Sequence, residues 1–491
     1  MLGYMGASAD VDTGRIREYP AYSALEAGNT VYIYSDRDKC FRAIPLSEKE
    51  ETVPEDADTP DTDSDTSVEA DEPEIKLPSD RNHILGCTVI GSDLYIISDS
   101  VNEKGKVMYE TVVSVYGSDL SKKDEYLIGG VYSGAGETNG RLTVATYFAP
   151  DMAKEYLHDG LYSSDNPYYA KNGDIVTVEP SAIDVIEGAD HNALHVFYTV
   201  GTGKTTAILG GFGDGYSGSP VKFGDDGITL AAADGDVSYE VALTAGLRVT
   251  GARRYKGSAF SADCFGHSGM IGCDESGITV FKNGKLITVP DEKVSAIAWA
   301  DNGTAYVIAG SAAGSRMLYG FDMSGNLPES ASISAEDIYT ERLRPIGEHL
   351  MGLKAEPSPD GERAGLRLSL YNFDGALKEI AYTIIELDKD TPRENLKYLS
   401  SPAEQSADLI SVDETGTVFA VPTVYFDGYS EVERMVTLKF DGRKFTQTGE
   451  YISYDEKSSV IYPVFRGDKL YIITDDRIVT ASDPSSQAEE E

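Results

Sequence analysis

Basic residues are in short supply in this chain. Across 491 residues, 42 Lys and Arg stand against 82 Asp and Glu, a formal charge of −40. The phosphate backbone of a nucleic acid and an anionic membrane surface would both be repelled, which removes them as partners. Cysteine is as sparse. Cys40, Cys87, Cys264 and Cys273 are too few for a disulfide scaffold and contain no CxxC pair that could start a zinc site. On a hairpin turning at Gly266–Gly269, Cys264 would face Ile271, which leaves only a diagonal bridge to Cys273; buried, reduced thiols are the expectation. No apolar run approaches the roughly 18 residues of a membrane helix, so no insertion into a membrane is expected. The opening MLGYMGASADVDTG has neither the basic nor the apolar region of a signal peptide. Helical periodicity is confined to APDMAKEYLHDGL (149–161).

Glycine and tyrosine are what the chain has in plenty. With 49 Gly and 31 Tyr, it pairs turn formers with residues that favour extended backbone. It also repeats itself. GNTVYIYSD (28–36), GSDLYIISD (91–99) and GDKLYIITD (467–475) are copies of one unit, and NGRLTVATY (139–147), DGITLAAAD (226–234), NGTAYVIAG (302–310) and TGTVFAVPT (415–423) are looser ones. Each is a Gly-bearing turn that opens a short alternating run, the pattern of a strand entered from a tight turn. A second unit is a strand ending in a polar turn: VSVYGSD (113–119), ITVFKNG (278–284), MLYGFDMSG (317–325), LSLYNFDG (368–375) and VTLKFDG (436–442).

From about residue 219 the pattern parses into groups of four strands, for example ADLISVDE, TVFAVPT, RMVTLKF and FTQTGEYIS within 407–453. Groups of four short antiparallel strands, repeating every 35 to 50 residues or so, predict an all-β fold: a β-propeller of about eight blades, or seven. A pair of β-sandwiches is the competing arrangement. The C-terminal SVIYPVFRGDKLYIITDDRIVTASD supplies three strands and the N-terminal region a matching GNTVYIYSD. Closure of the ring by strands from both termini in one blade is therefore expected, since it removes free sheet edges. A single domain over 20–483 follows, with tails at 1–19 and 484–491. Within it, residues 48–80 are dense in Asp, Glu, Pro, Ser and Thr and too poor in apolar side chains to offset their ordering entropy. They are read as a disordered acidic insertion.

Three stretches carry a family resemblance. RVTGARRYKGSAFSADCFGHSGMIGCDESG (248–277), EHLMGLKAEPSPDGERAGLRLSLYNFDG (348–375) and VFRGDKLYIITDDRI (464–478) resemble the landmark segments of bacterial secreted or cell-surface proteins with a C-terminal β-propeller distantly related to WD40 repeats. The resemblance implies an extracytoplasmic, cell-surface location. It also implies an N-terminal membrane tether, which this sequence does not show. It transfers no functional residue, because the matching positions are strand and turn residues.

Several motifs suggest chemistry and fail on their surroundings. GTGKTT (201–206) ends like a phosphate loop, but the pattern requires Gly at 198, where Tyr198 stands, and five glycines follow where a helix should begin. A hairpin with its turn at GTGK fits better. GYSGSP (215–220) and GHSGM (266–270) approximate serine-nucleophile motifs but miss defining residues, and read as turns. Asp61, Asp63, Asp65, Glu69 and Glu72 fall at positions 1, 3, 5, 9 and 12 of an EF-hand-type loop. Thr66 replaces the turn glycine, and Pro60 and Pro73 flank it, so weak Ca²⁺ association is the most that this spacing supports; a solvated spacer with no cofactor is the leading reading. In the insertion between Phe148 and Ile175, Tyr156, His158, Tyr162, Tyr168 and Tyr169 offer a contact surface of large area and low entropy cost, or a loop covering a blade edge.

The leading expectation is a noncatalytic, monomeric propeller that binds a protein or cell-envelope partner through its loops. A polysaccharide lyase or hydrolase with its site at the channel mouth, and the ectodomain of a membrane-anchored sensor, are the alternatives.

Overall fold

The computed structural model describes residues 24–27, 30–35, 40–45, 74–76, 84–101, 107–148, 167–178, 183–185, 194–202, 204–209, 221–234, 237–256, 269–274, 277–282, 285–290, 292–300, 302–311, 316–323, 329–334, 344–357, 363–386, 399–404, 409–413, 415–426, 431–453, 460–466, 469–474 and 478–481. Among these the chain is almost wholly β, and it runs through nine sheets that are antiparallel except where Ile183–Val185 pairs parallel with Lys204–Leu209, the second and third being interleaved in sequence. The fold is an all-β propeller-type array. The first sheet takes strands between 24 and 76, the second those of 84–129 and 168–177, and the third those of 131–148 and 183–209. Sheets four to nine follow at 221–256, 269–290, 292–334, 344–385, 411–453 and 460–481.

The repeated sequence unit has one structural address. Its copies form Thr30–Ser35, Asp93–Val101, Arg141–Phe148, Gly227–Asp234, Thr304–Ser311, Val418–Phe426 and Lys469–Thr474, and each is the second strand of its sheet. The second unit lies on the third strand in Val107–Tyr116, Arg316–Asp322, Arg363–Phe373 and Glu431–Phe440. Gly277–Lys282 departs from this, being the middle strand of a sheet with three described strands.

Packing follows from the two-residue period of a strand, which sends neighbouring side chains to opposite faces. Tyr32 and Tyr34 of the first sheet pack with Ile84, Leu94 and Ile96 of the second, whereas Val31, next to Tyr32, belongs to the apolar cluster that holds Val464 and Tyr471 of the ninth. In the seventh sheet, Met351 and Leu353 share a cluster with Phe419 and Val436 of the eighth, while Leu350 and Phe373 pack with Tyr306 and Leu318 of the sixth. Ile97 and Val113 meet Leu142 and Val144 across the second and third sheets, and Phe197 meets Phe223 and Tyr239 across the third and fourth. The described core is thus a set of layers between neighbouring sheets, and the cluster that holds Val31 links the last sheet to the first.

Among the described residues the first and last sheets are built from separate strands, nine sheets in all, and the cluster that unites Val31 with Val464 and Tyr471 brings the two ends together. Other expectations meet a different arrangement. The acidic insertion does not extend to 80 without structure: Glu74–Lys76 is the fourth strand of the first sheet, because Ile75 is buried opposite Phe41. Gly269–Asp274 pairs antiparallel with Gly277–Lys282, so Cys273 faces Ile278. Cys264, the helical candidate at 149–161 and both tails lie outside the described residues, as does GYSGSP. Cys40 and Cys87 are buried, and burial pushes the Cys87 thiol well above its usual pKa.

A single residue, Gly130, separates the strands Lys122–Gly129 and Val131–Thr138 and carries the chain from the second sheet to the third at φ 112°. A Cβ there would lie 2.6 Å from the Tyr147 carbonyl oxygen. Gly140, at φ 71°, has open space around it. Gly130→Ala should therefore cost about 2 kcal/mol or more, and Gly140→Ala about 1 kcal/mol, the cost of the left-handed backbone alone. Chemical denaturation of the two variants checks the difference; equal costs would show that the corner is not tight.

Candidate functional site

At one end of the second and third sheets the described turns come together. Asn139-Gly140 and Asn172-Gly173 are two-residue hairpin turns with positive φ at both positions, as tight hairpins of this hand require. The GTGKTT segment is a hairpin as well: Thr199 pairs with Lys204 across a turn in which the Thr202 amide and hydroxyl both donate to the Thr199 carbonyl. Gly201 of this turn faces the Tyr126 hydroxyl, 3.9 Å from where its Cβ would be.

Below the turns lies a cluster of tyrosines drawn from both sheets. The alternation in DEYLI (124–128) puts Asp124, Tyr126 and Ile128 on one face of the strand Lys122–Gly129. The Tyr198 ring, from the third sheet, sits 4.6 Å from Tyr169 and 6.0 Å from Tyr126, centroid to centroid. Tyr126 and Tyr198 are buried, and Tyr95 and Tyr169 half-buried. The polar ends are tied together. The Tyr126 hydroxyl donates to Asp124 Oδ2 at 3.2 Å, Lys171 Nζ lies 3.0 Å from the same oxygen, and Asn172 Nδ2 donates to Asp124 Oδ1 at 3.0 Å. Asn172 also accepts from the Glu125 amide through its side chain and donates its own amide to the Glu125 carbonyl. Lys123 pairs with Asp93 at 2.5 Å and Lys122 with Glu125 at 2.7 Å.

These contacts set the protonation states. Partial burial works to raise the Asp124 pKa, but hydrogen bonds from Lys171, Asn172 and Tyr126 and the Lys171 charge outweigh it and hold the carboxyl below its usual value. Its bonds to Asp124 and Tyr126 hold Lys171 above the ordinary lysine range. Burial first and then Asp124 push Tyr126 up against the pull of Lys171, burial first and then Tyr126, Tyr169 and Asp124 push Tyr198 up, and burial and Asp93 lead the rise of Tyr95. Of the six histidines, His195 and His349 are described, and neither joins this cluster. His195 is buried edge-on to Tyr147 in the third sheet, where burial lowers its pKa to about 3.

Of the residues singled out in the sequence, Tyr169 is part of this site. Tyr168, its neighbour, is buried, and its hydroxyl donates to Glu110 at 3.4 Å, so its ring belongs to packing and not to an exposed contact surface. Tyr156, His158, Tyr162, Asp61, Asp63, Asp65, Glu69 and Glu72 lie outside the described residues. Sequence reasoning passed over Tyr95, Asp124, Tyr126, Lys171, Asn172 and Tyr198. The signals that were there are the NG turn in YYAKNGDIV and the alternation of DEYLI; which strands they would join was not encoded locally. No group of three or more His, Cys, Asp or Glu suited to a metal ion occurs among the described residues.

No family model and no curated protein matches the chain. Solved structures similar to it include the β-propeller domain of the Trilobed protease from Pyrococcus furiosus, at 10% identity over 75% of this chain and 97% of that one, with a TM-score of 0.32. Others are the Pyrococcus horikoshii acylaminoacyl peptidase, at 12% identity, 86% and 59% coverage and a TM-score of 0.32, and the Vanderwaltozyma polyspora Nup133 β-propeller domain, at 9%, 69% and 98%, and 0.24. At these scores the likeness carries no activity or partner to this chain.

The depressed Asp124 pKa has a consequence with a definite sign. The ionised carboxylate contributes its stability in full above the unfolded value of about 3.9 and loses it as the pH falls through the lower folded value. Amide exchange at 171–177, corrected for intrinsic rates, should accelerate on acidification below pH 4 or so. Asp124→Asn should remove that dependence and raise exchange at neutral pH by up to about fivefold. A wild-type profile that is flat with pH would show that the carboxylate does not hold the turn.

Proposed function

We propose that the protein is a noncatalytic binding module that works outside the cytoplasm, at the cell surface, and holds a protein or cell-envelope partner at the turn-lined end of its second and third sheets. The observation that carries this reading is the geometry of that end, where Tyr126, Tyr169 and Tyr198 meet ring to ring and Asp124 is tied to Tyr126, Lys171 and Asn172; the protonation states agree with it. Asp124 is held low, Lys171 high, and Tyr95, Tyr126 and Tyr198 high, so each group keeps one form across the neutral range. General acids and bases work best with pKa values near the operating pH; groups driven away from it serve as fixed donors, acceptors and charges. Half-buried Tyr95 and Tyr169 add broad, stiff contact area beside exposed Lys171 and Asn172. The location rests on the family resemblance alone, and among the described residues no helix is long and apolar enough to cross a membrane.

The test exposes immobilised protein to extracted bacterial envelope proteins and to a panel of purified polysaccharides, with glycan chain length followed in parallel. Saturable retention of an envelope protein, weakened about tenfold by the Lys123→Glu, Lys171→Glu double variant, with glycans left intact, is the expected result. Shortening of any glycan by the wild type would overturn the noncatalytic reading.

A further inference from the structure

The second sheet has more strands than its neighbours. Its first four, between 84 and 129, already match the four-stranded first, fourth, sixth, seventh and eighth sheets. The remaining two, Tyr168–Lys171 and Asp174–Thr177, come from the segment that interrupts the third sheet between Arg141–Phe148 and Leu194–Thr199. This hairpin therefore reaches back from one sheet to the outer edge of the sheet before it. Its ladder to that edge is short: Tyr169 pairs with Ile128, Ala170 with Leu127 and Lys171 with Tyr126. Lys171 to Asp174, Val176 and Thr177 are all exposed.

The main anchor of the hairpin is Tyr168. Its ring lies against Gly129, where a Cβ would come within 2.7 Å of the nearest ring carbon, and its hydroxyl reaches Glu110. Gly129 is thus a socket that a larger residue would fill. The hairpin that Tyr168 holds delivers Tyr169 against Tyr198 and brings Lys171 and Asn172 to Asp124. The hairpin supplies three of the site's residues, and the sheets supply the rest.

We propose that the Tyr168–Thr177 hairpin is a clasp that opens as a unit, and that seating Tyr168 on Gly129 assembles the binding end of the second and third sheets. Tyr168 is a positioning residue in this arrangement. A unit with a short ladder, one buried anchor ring and an exposed outer strand belongs to the low-stability end of a fold, and it opens before the layers on which the sheets depend. A partner that touches Lys171 or Tyr169 binds only the closed form and is linked to it by mass action. That last link rests on the function proposed above.

Native-state hydrogen exchange on the full chain tests the clasp without a ligand. In the wild type, amides at 168–178 should exchange through an opening that occurs at lower denaturant than the opening of the Arg363–Phe373 strand. Gly129→Val, which fills the socket, and Tyr168→Ala, which empties it without a clash, should each speed exchange at 168–178 by about tenfold or more and leave Arg363–Phe373 unchanged. Exchange at 168–178 that occurs only together with Arg363–Phe373, or that neither variant alters, would overturn the proposal. The same variants are then assayed against the envelope protein extract. Binding lost as the hairpin opens supports the link, and binding retained by an open hairpin overturns it. A wild type that retains nothing from the extract, while its hairpin still opens first, overturns the binding function and leaves the clasp supported.

Discussion

A β-strand sends alternate side chains to opposite sides of its sheet, and in this chain both sides find apolar cover. Val31 goes one way and Tyr32 the other; Leu350 and Met351 divide in the same manner between the sixth and eighth sheets. A sheet buried on both faces cannot stand alone, and it needs a neighbour on each side. Successive sheets provide that, and the cluster uniting Val31 with Val464 and Tyr471 does so for the first and last. Each fully buried Leu, Val or Phe contributes roughly 1.5–3 kcal/mol relative to exposure, so the layers between sheets dominate the favourable side of folding. The rest of the structure depends on this arrangement, including the single-residue corner at Gly130 and the second-strand position of the repeated sequence unit.

The candidate site illustrates what such a scaffold allows. Its tyrosine rings extend the apolar layer between the second and third sheets to the surface, so the rings are packed below and hydrogen-bonded above. Asp124 is the centre of the polar part, accepting from a phenol, an ammonium and an amide. Burial alone would favour its neutral form, and the three donors reverse that preference. A carboxylate satisfied in this way is a fixed structural charge, and it orders Lys171 and Asn172 toward solvent.

Much of the fold was legible in the sequence. Alternating runs entered through Gly-bearing turns mark second strands in seven of the sheets, and the eighth sheet follows the parse of 407–453 strand for strand. The GTGKTT segment forms the hairpin that Tyr198 and the trailing glycines implied. These features depend on neighbours a few residues apart, where period and turn chemistry act directly. Tyr168 shows the limit of that reasoning. In sequence it is one of a run of surface tyrosines; in the fold it is buried over Gly129, nearly forty positions away. Ile75 is a similar case: it lies in an acidic stretch, yet it pairs with Phe41.

By itself the sequence determined the strands, their tight turns, the all-β class and the repetition, because these follow from local backbone preferences and a two-residue period. Only the tertiary structure decided that the hairpin inserted in sequence within the third sheet extends the edge of the second, and that Tyr95, Asp124, Tyr126, Lys171, Asn172 and Tyr198 converge. The physical reason is that strand partners are chosen by which faces bury each other across long sequence separations. No local pattern in the chain records that choice.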